Sequence, residues 1–271
     1  MSTSQPASLQ TSCVVTGGAR GIGRGIAELM VARGHHVVIG DLDGWAAAAT
    51  AAEIGAVAGL AQDVRDPDSH RLVAEEAAGH GALTSWFNNA GVGDDGTLAA
   101  LSEEQVRRLV EVNLLGTTWG TRAALAAFGP GGGDVVNIAS LAGLGLVPGY
   151  SMYAATKAAV VSLSASVNAE SPRGVRVHAL CPDGVDTAML AAQDPDGLGS
   201  QLTWSGGPIL GVAEVAAAAV ALVGSRRVVR TVPGWRAGVV RGAALAPGLS
   251  QHASWLFAAQ GRRAMKRRAS R

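Results

Sequence analysis

Short apolar runs alternate with longer amphipathic segments along most of the chain. The apolar runs predict six β-strands and a seventh near the end, at 13–16, 36–40, 56–61, 85–87, 134–139, 175–180 and 228–232. Segments with helical spacing or helix-start signals lie between them, at 21–32, 45–54, 66–78, 102–128, 151–170 and 212–223. Strands that alternate with helices form parallel sheets covered on both faces. The pattern therefore predicts an α/β fold with a doubly wound parallel sheet of six to seven strands.

Composition indicates one folded domain with a basic extension. Of 271 residues, 48% are apolar and only 16% are charged, so the chain can bury a large core and a disordered chain is excluded. We expect a flexible N-terminus over 1–10, a single domain over 11–234 and a basic C-terminal extension over 235–271.

Cysteine usage and the N-terminal sequence indicate the compartment. Cys13 and Cys181 are too few and too far apart for a disulfide framework or a zinc site, so no metal is expected. The first twelve residues contain neither an apolar run nor a positive charge, and no stretch approaches the ~20 apolar residues of a membrane-spanning helix. These features predict a reducing, cytoplasmic environment.

The net charge of +1 conceals an asymmetry between the two ends of the chain. Residues 215–271 contain eleven Lys and Arg and no acid, whereas residues 1–214 sum to −10. Near the end, Trp255, Leu256 and Phe257 precede a run of bases at Arg262, Arg263, Lys266, Arg267, Arg268 and Arg271. The segment is either solvated or disordered, or a basic amphipathic helix in peripheral contact with an anionic membrane. Nucleic-acid binding is not expected, because only charge points to it.

A glycine-rich turn connects the first strand to the first helix. It reads Thr16-Gly17-Gly18-Ala19-Arg20-Gly21-Ile22-Gly23 and is called the glycine turn below. Glycines let the backbone approach a pyrophosphate, and the N–H groups at the helix start then face the anion. The strand–turn–helix context near the N-terminus predicts a Rossmann-type dinucleotide site that uses Gly17, Arg20, Gly21, Ile22 and Gly23.

Asp41, at the end of the second strand, bears on the choice of dinucleotide. A carboxylate there can accept from both ribose hydroxyls of the adenosine and would repel a 2′-phosphate. Arg20 points the other way, because a guanidinium could meet a 2′-phosphate, or it could be a plain exposed turn residue. The sequence favours NAD over NADP.

Tyr153 and Lys157 form the candidate catalytic pair. They are i and i+4 on one predicted helix, in a chain that has only two tyrosines and two lysines. We expect the ammonium to stabilise the phenolate and lower the pKa of Tyr153 toward working pH, so that Tyr153 acts as general acid or base. Tyr150 is the competing tyrosine, but Ala154 lies where its lysine would have to be.

Ser140 lies at the end of the fifth predicted strand, thirteen residues before Tyr153. The carboxyl ends of such strands border the ligand crevice. Its hydroxyl is expected to hold the substrate oxygen, and Asn113, on the long helix, is either a participant or a satisfied buried amide.

Taken together, these motifs resemble the short-chain dehydrogenase/reductase family. The resemblance covers roughly residues 10 to 232 and rests on order and spacing as much as on residue type. Its motifs are the glycine turn, Asn88-Asn89-Ala90-Gly91, Asn113, Ser140 and Tyr153-Ala154-Ala155-Thr156-Lys157.

The resemblance implies further roles for named residues. It implies that Lys157 bonds the nicotinamide ribose and that Asn113 helps pass the proton to solvent. Contacts to the cofactor are implied for Asp63, Val64, Asn89, Ala90, Gly91, Tyr153, Lys157, Val185 and Thr187. Asp183 departs from the family pattern, which has glycine after the proline, and this leaves the backbone path at Val185 and Thr187 in question. A homodimer or homotetramer through helices 102–128 and 151–170 is also implied.

The loop over 186–211 is expected to cover the substrate. It has no positive charge and offers the apolar residues Met189, Leu190, Leu198, Leu202, Trp204, Ile209 and Leu210. This composition predicts an apolar, uncharged alcohol or ketone as substrate. The alternative is a non-catalytic dinucleotide-binding or regulatory protein on the same fold, because fold does not determine function.

Overall fold

The computed structural model describes residues 10–245 and 247–269, and a seven-stranded sheet organises it. All six strand pairs are parallel, and the strand order is β3-β2-β1-β4-β5-β6-β7. The strands are β1 (Thr11–Thr16), β2 (His36–Asp41), β3 (Ala58–Ala61), β4 (Ala82–Asn88), β5 (Gly133–Ile138), β6 (Val175–Pro182) and β7 (Val229–Val232). The predicted doubly wound parallel sheet is confirmed.

Helices cover both faces of the sheet. Those preceding the substrate loop are α1 (Gly21–Ala32), α2 (Gly44–Ile54), α3 (Pro67–Gly79), α4 (Glu103–Leu109), α5 (Thr117–Ala127) and α6 (Ser151–Glu170). Those within and after it are α7 (Ala188–Ala191), α8 (Leu198–Trp204), α9 (Val212–Val220), α10 (Arg236–Leu245) and α11 (Pro247–Ala269). One core cluster joins the sheet to α1, α2 and α9, and a second joins it to α3 and α5.

The strand order reverses at β1, which lies between β2 and β4. The carboxyl ends of β1 and β4 consequently face one crevice, the usual ligand position in such sheets. The Thr16 hydroxyl joins these two ends, because it accepts hydrogen bonds from the backbone N–H groups of Asn89 (3.0 Å) and Ala90 (3.1 Å).

The predicted continuous helix over 102–128 is interrupted by a π-helix at Val110–Gly116. Its start is as expected, because Ser102 and Gln105 form a capping box ahead of α4. The Thr117 hydroxyl donates to the Asn113 carbonyl at 2.8 Å, which satisfies a carbonyl of the wider turn. Apolar spacing did not reveal the π-helix, which places Asn113 differently from a regular helix.

The described part of the C-terminal extension is helical, as the second of the two alternatives expects, and much of its surface is exposed. Helix α11 lies on α8, and Ala258 is 2% exposed at that contact. Of the described helices, none combines the length and apolar character that crossing a bilayer requires. The flexible N-terminus expected over 1–10 falls almost wholly on residues 1–9, outside the described part of the chain.

Candidate active site

A cleft of about 1000 Å³ opens at the carboxyl ends of the strands. Nearly all of the predicted site residues line it: Gly17, Arg20, Gly21, Ile22, Asp41, Asp63, Val64, Asn89, Ala90, Gly91, Ser140, Tyr153, Lys157, Val185 and Thr187. Gly23 and Asn113 do not line the cleft. The structure therefore brings the glycine turn and the Tyr153–Lys157 pair into one continuous space.

The glycines of the turn are required by backbone geometry and by close contact. Gly17 and Gly21 have φ values of 61° and 56°, in the left-handed region that side chains disfavour. A Cβ on Gly17 would lie 2.8 Å from the Ala90 Cα, and one on Gly23 would overlap the Gly17 carbonyl oxygen. Asn89 fixes the turn, because its side-chain amide donates to the carbonyls of Thr16 (3.1 Å) and Gly17 (2.9 Å).

The start of α1 offers donors for an anion. No side chain caps this helix, and its first turn contains no acid. Asp41 lies beside the turn, where its Oδ2 accepts from the Ala19 backbone N–H at 3.1 Å and its Oδ1 accepts from that of Asp43 at 3.2 Å. Arg20 is exposed at the rim. Uncapped helix N–H groups next to a carboxylate fit a pyrophosphate with an adjoining ribose diol.

Asp63 and Val64 border the same end of the cleft. Asp63 pairs with Arg65 (Oδ2 to Nη2, 2.6 Å), and hydrogen bonding from this guanidinium holds the Asp63 pKa below its usual range. Val64 is buried, and its carbonyl is hydrogen-bonded to the His70 ring at 2.9 Å. Both residues are therefore fixed before any ligand binds.

Asn113 is buried behind the cleft and tied to the segment after β4. Its Oδ1 accepts from the Val92 N–H at 2.9 Å, and its Nδ2 donates to the Val92 carbonyl at 3.0 Å. Gly91 lies between Asn113 and the catalytic lysine, since a Cβ there would lie 3.2 Å from Asn113 Oδ1 and 3.6 Å from Lys157 Nζ. The satisfied-amide interpretation describes these contacts, and Asn113 positions the segment from Asn89 to Val92.

Tyr153 and Lys157 share one face of α6, as their spacing predicted. The Lys157 Nζ lies 5.8 Å from the centroid of the Tyr153 ring and donates to the Ile138 carbonyl at 2.8 Å. Lys157 is 5% exposed, and this burial lowers its pKa to about 8. Its ammonium is held at the end of β5, where strand and helix meet.

The electrostatics of Tyr153 correct one expectation. Burial raises the pKa of the Tyr153 phenol above its ordinary value, and the nearby Ser140 hydroxyl opposes that rise in part. The Lys157 ammonium lies beside the ring and donates to the Ile138 carbonyl, and the effect of burial on the Tyr153 pKa prevails. Tyr153 is therefore protonated at neutral pH, the state that donates to a carbonyl oxygen.

Ser140 ends the segment after β5 and caps a short 3₁₀ helix at Leu141–Leu144, where its hydroxyl accepts from the Ala142 N–H at 3.1 Å. Tyr150 also reaches the cleft, and its ring lies 5.9 Å from that of Tyr153. The Tyr150 hydroxyl is buried near Thr203 without the geometry of a hydrogen bond, and burial raises its pKa above the usual range. The cation beside Tyr153, and its absence beside Tyr150, distinguish the two phenols.

The segment after β6 returns to the glycine turn despite Asp183. The Asp183 Oδ1 accepts from the Gly184 N–H at 3.0 Å, and the Thr187 methyl group lies 3.8 Å from where a Cβ on Gly21 would be. Val185 bridges to Leu210. Val185 and Thr187 thus reach the cleft as expected, although glycine is missing after the proline.

The substrate end of the cleft differs from the sequence expectation in two respects. Of the seven apolar loop residues, only Met189, Leu190 and Leu202 line the cleft. Arg108 and Arg236 bring positive charge from outside the loop, and each pairs with a carboxylate, Asp94 (2.5 Å) and Asp183 (2.9 Å) respectively.

Apolar residues that the sequence did not indicate complete the lining: Leu141, Leu146, Val147, Val239, Val240, Ala243 and Phe257. Because both arginines are paired, this end presents apolar surface and no unpaired charge from these two residues. In residues 10–245 and 247–269, no group of three or more His, Cys, Asp or Glu side chains is arranged as a metal site.

Comparisons with known proteins agree on one family. The family model described as short chain dehydrogenase matches residues 11–197. The chain is similar to a sorbitol dehydrogenase of Cereibacter sphaeroides, with 40% identity over 180 residues, covering 65% of this chain and 70% of the relative. It is also similar to a 2,5-dichloro-2,5-cyclohexadiene-1,4-diol dehydrogenase of Sphingobium indicum, with 38% identity over 190 residues, 68% of this chain and 76% of the relative.

Two solved structures share the fold. One is a short chain dehydrogenase/reductase from Burkholderia phymatum in complex with NAD, with a TM-score of 0.77, 28% identity, and coverage of 86% of this chain and 92% of that one. The other is a 3-ketoacyl-(acyl-carrier-protein) reductase from Brucella melitensis complexed with NADH, with a TM-score of 0.75, 28% identity, and coverage of 84% and 98%.

Proposed function

The chain belongs to the short-chain dehydrogenase/reductase family, and on that premise we propose that it interconverts an apolar secondary alcohol and its ketone with NAD, using Tyr153 as acid and base. The proposal rests on one observation: Ser140, Tyr153 and Lys157 line the same cleft as the glycine turn. Family membership makes it an oxidoreductase; the substrate and the roles of individual residues are the proposed part.

The residues present fit a nicotinamide dinucleotide. The glycine turn and the uncapped start of α1 would hold the pyrophosphate, Asp41 the adenosine ribose, and Asp63 and Val64 the adenine. By family resemblance, Val185 and Thr187 would hold the carboxamide and Lys157 the second ribose; all three line the cleft. The bound cofactor supplies or accepts the hydride. Both matched structures contain NAD or NADH, which supports NAD.

Tyr153 moves the proton. In reduction its protonated phenol donates to the carbonyl oxygen, and in oxidation its phenolate accepts the alcohol proton. The Ser140 hydroxyl, which lies near Tyr153, orients the same oxygen. Lys157 holds a cation beside the ring, and Asn113 fixes the segment through Val92 that borders Lys157.

The lining of the cleft supports the proposed substrate class. Apolar side chains from three segments surround the end of the cleft beyond Ser140, and the two arginines there are paired with acids. We expect alcohols with a sizeable apolar body to be oxidised efficiently. Turnover of small anionic keto acids together with no turnover of apolar ketones would contradict this class.

Two matched variants test the mechanism. Tyr153→Phe should lower kcat by at least about 10²-fold, because a positioned acid/base contributes roughly that much. Tyr150→Phe removes the same group three residues earlier, at the start of the same helix, and should retain the wild-type kcat within a few-fold. Both variants should still bind NADH. Wild-type turnover by Tyr153→Phe would refute the mechanism, and no turnover by the wild type with any carbonyl would favour a non-catalytic dinucleotide-binding protein.

Cofactor preference can be measured without a substrate. Titration with NADH and NADPH, followed by reduced-nicotinamide fluorescence, should show tighter NADH binding. Asp41→Asn should narrow the preference by about tenfold, because hydrogen bonds to a charged acceptor contribute roughly 1.5–3 kcal/mol. Tighter NADPH binding by the wild type would mean that Arg20 outweighs Asp41.

A homodimer or homotetramer is proposed through the helices over 102–128 and 151–170, by family resemblance. Leu115 on this surface is 37% exposed, which is consistent with a partner there. Light scattering that gives a monomer would contradict this assembly.

A peripheral membrane contact through α11 is a further proposal. Leu256 and Phe257 are about half exposed, and Arg263 and Lys266 are exposed on the same helix. The wild type should sediment with anionic liposomes, and the double variant Arg263→Glu/Lys266→Glu should remain in the supernatant. Equal sedimentation of the two proteins would refute the membrane contact.

A further inference from the structure

An ion pair links the end of β6 to the start of the C-terminal helices. The Arg236 Nε lies 2.9 Å from the Asp183 Oδ2, and the side chains are only 15% and 16% exposed. The Nε–H is not directed at the carboxylate, so the contact is one of charge and proximity. Burial raises the pKa of Asp183, and the Arg236 charge acts against that rise.

Arg236 also contacts the loop that follows α8. A Cβ on Gly206 would overlap the Arg236 guanidinium, so the two segments touch closely. The guanidinium lies 5.6 Å from the centroid of the Trp235 ring. One side chain therefore contacts the end of β6 and the substrate loop from the first turn of α10.

One face of α10 borders the cleft directly after Arg236. Val239, Val240 and Ala243 follow at helical spacing, and all three line the cleft. Val240 packs so closely on Gly145 that a Cβ there would overlap its side chain. Gly145 ends the 3₁₀ helix that Ser140 caps, so α10 abuts the segment bearing the substrate-orienting hydroxyl.

Helix α11 attaches the other end of the C-terminal extension to α8. The Arg262 Nη1 donates to the Gln201 Oε1 at 2.7 Å, and Gly261 is so close to Gln201 that a Cβ would overlap its carbonyl oxygen. From this helix Phe257 reaches the cleft. The extension is thus attached at both α8 and β6.

We infer that the Asp183–Arg236 ion pair holds α10 in place, so that the C-terminal lining selects substrates by the size of the substrate's apolar body. The C-terminal lining consists of Val239, Val240, Ala243 and Phe257. The inference rests on the proposed function for its substrate side. Asp183, which stands where the family pattern has glycine, then has a role: its carboxylate pairs with Arg236 and so attaches the C-terminal extension to the end of β6. Both partners are positioning residues, because neither needs to touch the reacting atoms.

The first experiment does not depend on activity. Hydrogen exchange of peptides over 236–245 is compared, in the presence of NADH, among wild type, Asp183→Asn, Arg236→Gln and the double variant. We expect at least about tenfold faster exchange in all three variants, since tenfold corresponds to 1.4 kcal/mol of local stability. The double variant should be no faster than the singles. The control Arg241→Gln removes an exposed charge from the same helix and should match wild type. Unchanged exchange in the variants would overturn the inference.

The second experiment tests selection. KM and kcat are measured for 2-alkanols from 2-propanol to 2-decanol. In the ion-pair variants KM should rise about tenfold more for the long alcohols than for 2-propanol, because a lost apolar contact is worth about that much. Phe257→Ala, at a site that is about half exposed, should show the same dependence on chain length.

The outcomes separate the two hypotheses. An equal loss for all alcohols, or weaker NADH binding with unchanged length dependence, would mean that the pair serves the nicotinamide loop, and would overturn the substrate role. If the wild type oxidises no alcohol, the proposed function fails, while the exchange experiment still decides whether the ion pair holds α10.

Discussion

Ser140→Ala offers a test of how Tyr153 is tuned. In the structure the nearby Ser140 hydroxyl is what opposes the burial that raises the Tyr153 pKa. Its loss makes the phenolate harder to form. A hydrogen bond of about 1 kcal/mol corresponds to roughly a fivefold smaller phenolate fraction at a pH below the Tyr153 pKa. Oxidation needs the phenolate, so its kcat/KM should fall fivefold from this cause alone at neutral pH.

The assay separates this cause from the lost contact between Ser140 and the substrate. The wild-type to Ser140→Ala ratio of oxidative kcat/KM is followed from pH 7 to 10.5 at saturating cofactor. The contact contributes equally at every pH, whereas the tuning contribution disappears once both proteins are deprotonated. Because the Tyr153 pKa lies above its ordinary value of about 10, the ratio should be constant near neutral pH and begin to shrink toward pH 10.5, approaching a fivefold decrease only where both proteins are deprotonated. Lys157, with a pKa of about 8, titrates in both proteins and cancels in the ratio. Ser166→Ala, an exposed serine on α6, is the control. A ratio independent of pH would refute the tuning of Tyr153 by Ser140.

Two further predictions concern stability. Gly23→Ala should weaken NADH binding at least tenfold and destabilise the fold by about 1–3 kcal/mol, because its Cβ would overlap the Gly17 carbonyl. The control Gly79→Ala has open space around it and should change neither NADH binding nor stability in this way. Asp134→Asn should cost about 3 kcal/mol in urea unfolding at pH 7, because burial is outweighed by hydrogen bonds from His178 and Arg176 that lower the Asp134 pKa. A carboxyl with a lowered pKa stabilises above its unfolded value and loses that contribution as pH falls, so the deficit should shrink below about pH 4. A deficit that grows in acid would contradict this assignment.

The features that sequence predicted correctly depend on local chemistry. The glycine turn, the Tyr153–Lys157 spacing and the capping box at Ser102 each lie within a few residues, and helix or strand geometry then fixes their relation. Helix α6, expected from 151 to about 170, is found at Ser151–Glu170.

The features that sequence missed depend on partners far along the chain. Asp183 and Arg236 are 53 residues apart, and Arg262 meets Gln201 across 61. The extension is rich in Ala, Gly and Arg, and its one apolar cluster, at 255–257, did not indicate where it would dock. The expected lowering of the Tyr153 pKa was wrong in direction, because the burial that raises this pKa depends on the assembled fold.

The π-helix at Val110–Gly116 gives the chain an unusual place for a change of length. A π-helical turn contains one residue more than an α-helical turn, so removing one residue there restores the regular pattern while α4 and α5 keep their orientations. In α6 the same deletion would turn every later side chain by about 100° and part Lys157 from Tyr153. A single-residue deletion, normally tolerated only in loops, should thus leave the fold intact inside this helix and displace chiefly Asn113 and the Val92 backbone that it holds.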